Sequence, residues 1–509
     1  MTAAVAAVLA VGVLGYPVLD ALDMAPGVLT SDWSRGSAVP KTEVVQAAHP
    51  LGQAGGGAAA DGAGQIHEPV LDPKAPVPIP AVLAARLKPL LEAPVLGAAP
   101  GAMVVDAATG KPLLTIRADV PRTPASTAKV LTAAAVAVQT DLKASRHTRV
   151  LAGAAPNTLV LVADGDTLLA RGKGNPYATA GHAGLADLAA ATAKALGAQT
   201  ARPGQQAKGP YTLLLDDRIA PGPPLAPAWE RVDVAAGLTG PVTMIGLTDD
   251  RALPGKPASA DPAMTAAIAF REALRQAKIP VNDAVTRLPA RGAPKQGAEL
   301  AQVASAPVSD MLTLALAESD NALTEVVARR AFAGREVAPT FEGAGGFVVQ
   351  TLQTLGVPTE RLTLRDTSGL TRGSTASVRT ITATTELAAR GTLPEFTRVI
   401  AGLPVAGLSG TLFDRFEAPA ASAGRGVVRG KSGTLTGVGG LTGTVVNTSG
   451  RLLVYTVLAD AAPAGATLAT RAALDAVVAE IAACRCDTPD PSASVRGIPN
   501  PLQASEAVR

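Results

Sequence analysis

The sequence is poor in aromatic side chains, poorer in histidine and almost without cysteine. Only 3% of its 509 residues are Phe, Trp or Tyr, which leaves few stacking platforms for bases or sugars. Of four histidines, His49 and His67 fall in a stretch of linker composition, while His147 and His182 follow the first long helical pattern. None has metal-ligand spacing or an acidic neighbour in a triad pattern, so a hydrolase built from this chain needs another general base. Cys484 and Cys486 cannot complete a zinc site by themselves and read as a local bridge or two free thiols. Charge of one sign is lacking too. Lys and Arg number 45 against 42 Asp and Glu, a net +3 too balanced for an electrostatic nucleic-acid binder. No metal, organic cofactor or nucleic-acid partner is implied.

What remains is plentiful. Hydrophobic residues make up 47% and charged residues 17%, enough apolar surface for large cores and too much for wholesale disorder. At roughly 100–200 residues per domain the length predicts two to four folded units. Residues 1–80 carry three basic side chains (Arg35, Lys41, Lys74) against seven acidic ones, so the rest of the chain is mildly basic, which suits an anionic substrate.

Ala3–Leu19 is apolar and ends at Asp20, so residues 1–23 read as a signal peptide or membrane anchor. Residues 24–82, with Gly55-Gly56-Gly57 and four prolines between 73 and 80, read as a linker, and 487–509 as a disordered tail. Between them, strand character appears at Gly101–Asp106, Leu159–Val162 and Tyr211–Leu215. Leu441–Val446 and Leu452–Leu458 flank the turn signal Asn447-Thr448-Ser449-Gly450 and read as a hairpin. Helical periodicity falls at 127–138, 184–196, 262–277, 308–317, 322–332, 344–355, 379–390 and 468–482. Strands at both ends with helices between them predict an α/β or α+β fold whose sheet closes late in the chain.

Three short strings carry chemistry. In Ser126-Thr127-Ala128-Lys129 the i,i+3 spacing puts hydroxyl and amine on one helix face. The serine sits where first-turn N–H groups favour an oxyanion, and the lysine serves as a base only if neutral. Ser319-Asp320-Asn321 reads as a helix cap that also turns a hydroxyl and a carboxamide toward a cleft, Ser319 relaying a proton and Asn321 orienting a substrate carbonyl. Lys431-Ser432-Gly433-Thr434 lies in an alternating segment, Val427–Thr436, that suits an exposed strand. Gly433 permits close approach of a ligand, and Lys431 offers positive potential for a terminal carboxylate.

The order S-x-x-K, S-x-N, K-[ST]-G, each in a fitting context, resembles the penicillin-binding serine D,D-peptidases over most of 83–486. Ser319 follows Ser126 by 193 residues, so a large insertion separates the first two motifs. Leu161–Leu168, Asp216-Asp217-Arg218, Trp229 and Asp233 are similar to the inserted region of the D-alanyl-D-alanine carboxypeptidase/endopeptidase subfamily, the class C, peptidase S13-like proteins. Asp366-Thr367-Ser368-Gly369-Leu370 and Leu403–Leu412 are similar to its later stretches. Ser432 replaces the threonine of many relatives.

The resemblance implies a β-lactamase/transpeptidase-like fold: an antiparallel sheet flanked by helices, a helical lobe and a large inserted region. The implied order is a peptidase part at 83–148, the insert at 149–300 and a second peptidase part at 301–486. It implies catalytic Ser126, Lys129, Ser319 and Asn321, and substrate binding by Lys431, Ser432, Gly433 and Thr434. Stem peptides ending in D-Ala-D-Ala and β-lactam antibiotics are the implied partners, met outside the cytoplasm at the cell wall. The rival readings are a β-lactamase-like hydrolase, for which no E-x-x-L-N string occurs between Asn321 and Lys431, and a non-catalytic peptidoglycan-binding envelope protein.

Overall fold

The computed structural model describes residues 72, 74–200, 209–289 and 297–486. The expected export segment 1–23, most of the expected linker and the tail 487–509 lie outside the described residues.

Two five-stranded sheets organise the chain. The first runs, edge to edge, Val428–Leu435, Val438–Val446, Leu452–Ala459, Gly101–Asp106 and Pro112–Ile116, with every neighbour antiparallel. Its middle joins the two ends of the fold: Gly101 pairs with Leu458 and Asp106 with Leu453. The expected hairpin is present, turning at Asn447–Gly450.

Gly101–Asp106 is buried throughout, because helices cover both faces of the sheet. Met103 and Val105 enter the core built by helices Ala128–Gln139, Val308–Ala317 and Val378–Ala389. Ala102 and Val104 enter the core built by Pro80–Leu91 and Thr467–Ala483. Pro80–Leu91 begins inside the stretch expected to be linker. Its Pro80 occupies the first helical turn, where the missing N–H costs nothing. Cys484 and Cys486, bonded to one another, are buried in the same core.

The second sheet runs Glu299–Pro307, Ser145–Ala152, Thr158–Val162, Tyr211–Asp216 and Val281–Arg287. The first three strands are antiparallel and the last three parallel, so this sheet is mixed. Parallel neighbours need crossovers, and helices Leu185–Thr200 and Pro262–Gln276 lie between those strands in the chain. Ser145 stands opposite Pro307, so the chain enters and leaves this sheet at adjacent points. The sheet has its own core, centred on Leu159, Leu161, Leu213, Leu215 and Phe270.

Local chemistry fixes the helix starts that matter below. Asp261 accepts from Met264 N, Asp320 from Leu323 N, Thr340 from Gly343 N and Ser377 from Thr380 N. Each such cap contributes about 1 kcal/mol.

Candidate active site

Helix Ala128–Gln139 is the centre of the first half. Residues 128–136 are all buried, the pattern of a helix surrounded by protein. No side chain caps its start. A 3₁₀ turn, Ala125–Thr127, tightens into it instead, and the Thr127 hydroxyl donates to the Pro124 carbonyl at 2.6 Å. Ala125 holds φ +46°, a left-handed conformation that costs a non-glycine residue about 1 kcal/mol or more. Ser126 follows this strained residue.

Lys129 is buried, and its Nζ reaches three oxygens: Ser126 Oγ at 2.9 Å, Asn321 Oδ1 at 2.5 Å and the Ser368 carbonyl at 2.8 Å. Burial pulls its pKa from the ordinary 10.5 to about 8, against the opposing pull of Asp366, Glu325 and Asp320. The acceptors match a neutral amine as well as an ammonium. As an ammonium Lys129 donates to all three; in the neutral form two N–H bonds satisfy the two carbonyl oxygens and the lone pair is left for the serine hydroxyl.

Asn321 opens helix Asn321–Phe332, and Asp320 is its N-cap. The carboxamide of Asn321 has partners inside the protein. Its Oδ1 accepts from Lys129, while its Nδ2 donates to the Leu238 carbonyl at 2.7 Å, which leaves one N–H and one lone pair of the carboxamide for a substrate. Asp320 also pairs with Arg251 at 2.7 Å. Ser319, half-buried, holds φ +58° in the turn between the two helices.

Lys431-Ser432-Gly433-Thr434 lies on Val428–Leu435, the edge strand of the first sheet. The strand expected to be exposed is half-buried, because one of its faces lies against the serine turn. A Cβ built on Gly433 would stand 3.0 Å from the Pro124 carbonyl and 3.1 Å from Thr127 N, so a side chain here would push the strand and the serine turn apart by a few tenths of an ångström. Lys431, on the same face, is fully buried, and its Nζ donates to the Ser432 carbonyl at 2.8 Å. Burial and the neighbouring Lys129 push its pKa well below the ordinary value. The Ser432 hydroxyl, on the opposite face, donates to Thr411 Oγ1 at 3.0 Å.

Several participants escaped the sequence reading. Asp366-Thr367-Ser368-Gly369-Leu370 was noted as a similarity, with no role attached. Its Gly369 has φ +78°, and a Cβ there would stand 2.0 Å from the Ala125 carbonyl, so this loop presses on the serine turn from another side. Glu325, Trp229, Leu238 and Arg251 had no stated role either. Trp229 was noted only as a similarity, and Glu325 carried a further signal: it lies four residues after Asn321 and so shares its helix face. His147 and His182 stand elsewhere, His147 in strand Ser145–Ala152 and His182 bonded to the Ala178 carbonyl. Among the described residues no cluster of three or more His, Cys, Asp or Glu side chains is gathered as metal ligands would be.

A central buried helix beside an antiparallel sheet, with serine and lysine at its start and a second lysine on the facing edge strand, is the arrangement of serine–lysine acyl-transfer enzymes. The profile of the D-Ala-D-Ala carboxypeptidase 3 (S13) family matches residues 83–254 and 248–481, and the chain belongs to that family. It is 34% identical over 425 residues to the carboxypeptidase DacB of Mycolicibacterium smegmatis, covering 82% of this chain and 87% of the relative. A carboxypeptidase of Mycobacterium tuberculosis is 33% identical over 428 residues, with the same coverage of each. The fold is that of penicillin-binding protein 4 of Haemophilus influenzae, with a TM-score of 0.62 at 19% identity, covering 79% of this chain and 99% of that one.

Proposed function

We infer that the protein is a serine-type D-Ala-D-Ala carboxypeptidase that hydrolyses peptidoglycan stem peptides through an acyl-enzyme. The observation that carries this reading is the hydrogen bonding of Lys129, which leaves a buried, readily deprotonated amine against Ser126 Oγ. Ser126 attacks the carbonyl of the penultimate D-Ala and gives its proton to Lys129. The oxyanion forms between the N–H groups of Ser126 and Thr434, a pairing supported by the tight approach of Gly433 to the serine turn. The C–N bond then breaks, the leaving D-Ala amine takes a proton passed by Ser319 and Lys431, and water hydrolyses the ester. Lys431 and Thr434 hold the terminal carboxylate.

β-Lactams, which carry an acyl group and a carboxylate at similar spacing, acylate the same serine. Glu325, the glutamate nearest this chemistry, spends its oxygens on the 366–371 loop and so is not placed to activate a deacylating water as a β-lactamase requires. Substrate of this kind is met outside the cytoplasm, where segment 1–23 exports the chain or anchors it to the membrane. Among the described residues no helix is long and apolar enough to cross one.

The test is gel labelling with a fluorescent penicillin alongside product analysis on a pentapeptide ending in D-Ala-D-Ala. Stable labelling and release of one D-Ala are expected from the wild type, and neither from folded Ser126→Ala. Rapid turnover of the label, or labelling of the alanine variant, overturns the assignment.

A further inference from the structure

Glu325 is a buried acidic side chain that the proposed chemistry does not use. Its Oε1 accepts from the backbone N–H groups of Thr367 at 2.9 Å and Ser368 at 2.8 Å, and its Oε2 from the Thr367 hydroxyl at 2.6 Å. The carbonyls of the same two residues point to the serine helix: Thr367 O accepts from the Thr132 hydroxyl at 2.6 Å and Ser368 O from Lys129 Nζ at 2.8 Å. Residues 367 and 368 are therefore stretched between one carboxylate and one helix. Asp366 anchors the other end of the loop, accepting from Gly369 N, Thr371 N, the Thr371 hydroxyl and Trp229 Nε1. Helix Asn321–Phe332 thus holds the Lys129 amine twice, directly through Asn321 and at one remove through Glu325.

We propose that Glu325 is the positioning residue of the lysine base: by clamping the N–H groups of Thr367 and Ser368 it fixes the Ser368 carbonyl that aims the Lys129 amine at Ser126. This rests on the reading of Lys129 as the base of the carboxypeptidase. The clamp is also a charge. Glu325 faces Asp366 across the loop, Arg329 on its own helix and Lys129 on the serine helix, while Lys129 faces Lys431, Asp366 and Asp320 as well. Burial, then the charge of Asp366, push Glu325 up to about 7, so it is ionised where Lys129 titrates, near 8, and it favours the ammonium there. Positioning and electrostatics therefore oppose one another: the same carboxylate that aims the amine keeps it protonated to higher pH.

The experiment is the pH dependence of second-order acylation by a fluorescent penicillin for the full chain, Glu325→Gln and Glu325→Asp, with melting curves for each. In Glu325→Gln the rising limb moves down by about half to one pH unit, because an opposing charge is gone, and the high-pH plateau falls about tenfold or more as the amine loses its aim. Glu325→Asp keeps the charge but withdraws it by one methylene, so its limb stays near the wild-type position while its plateau falls. A Gln limb superimposed on that of the wild type, or an Asp plateau at wild-type height, overturns the proposal even where melting shows a loss of stability. Should Gln fail to fold, the Asp plateau decides. Absence of labelling in the wild type itself overturns the carboxypeptidase reading instead, and the two failures are told apart by that one lane.

Discussion

The molecule buries positive charge in two ways. At one end of the first sheet, Arg451 meets Asp106 directly, Nε to Oδ1 at 2.6 Å and Nη2 to Oδ2 at 2.7 Å, and it also donates to the Ala75 carbonyl. At the serine turn, Lys129 and Lys431 are equally buried, yet the oxygens that their amines reach are neutral: a hydroxyl, a carboxamide and backbone carbonyls. The carboxylates nearby, Glu325 and Asp366, are turned to backbone and hydroxyl donors. The difference decides what each cation is for. Although burial works against it, hydrogen bonds from Arg451 and Thr109 hold Asp106 below the usual carboxylate range, so that pair is charged at any working pH. A lysine surrounded by neutral acceptors is free to give up its proton.

The sharpest way to break this contrast is to make the site cation permanent. Lys129→Arg keeps the charge but does not deprotonate, and acylation of Ser126 should fall by about 10²–10⁴-fold, the worth of a general base, at every pH up to 10. Penicillin labelling kinetics give the number. Near-normal acylation by the arginine variant would remove Lys129 from the role of base.

Next in size is the reverse operation at the structural pair. Arg451→Ala leaves Asp106 buried without its cation and should cost about 3–5 kcal/mol in denaturant unfolding. The pH limb of acylation by the protein that remains folded should not move. A moved limb would mean that the two charge sites communicate.

Last comes a buried carboxyl held by a backbone N–H. Asp166, bonded to Leu168 N at 2.9 Å, is pushed up to about 7 by burial. A folded value above the unfolded one, near ~3.9, gives stability that is fully present below about pH 4 and lost as pH rises through 7. Asp166→Asn should flatten that decline, removing a slope of up to about 1.4 kcal/mol per pH unit. Unfolding midpoints at pH 4, 5.5 and 7 give the slope directly, and a slope equal to that of the wild type would refute the assignment.

The lysine side of this contrast was visible in the sequence, whereas the Arg451–Asp106 pair was not. The serine–lysine spacing, the Ser319-Asp320-Asn321 turn and the glycine-bearing edge strand all come to the serine turn or its supports, and helix Val308–Ala317 has the boundaries its periodicity predicts. Part of what was invisible works through the backbone. The Ser368 carbonyl is as much a partner of Lys129 as Asn321, but any residue has a carbonyl, so no residue type marks it. The second sheet was seen only in two of its strands. Val281–Arg287 alternates too little to show, with only Val281 buried, and Glu299–Pro307 runs straight into a helix without a turn signal. Pro80–Leu91 was hidden by its own first-turn proline, which ended a proline-rich run and began a helix at once.

The pairing of Gly101–Asp106 with Leu452–Ala459 also sets an order of assembly. Nearly all the chain must exist before the middle of the first sheet can form, and closing so long a loop is a slow, late event. The second sheet lies entirely between Ser145 and Pro307, and its strands have one another as partners as soon as that stretch is available. The strand that presses Gly433 onto the serine turn reaches its place only with the late sheet, so the pocket is assembled after the insert beside it. A chain cut short before residue 452 would then hold the second sheet complete while Gly101–Asp106 lacked its partner strand and the first sheet stayed open at its middle.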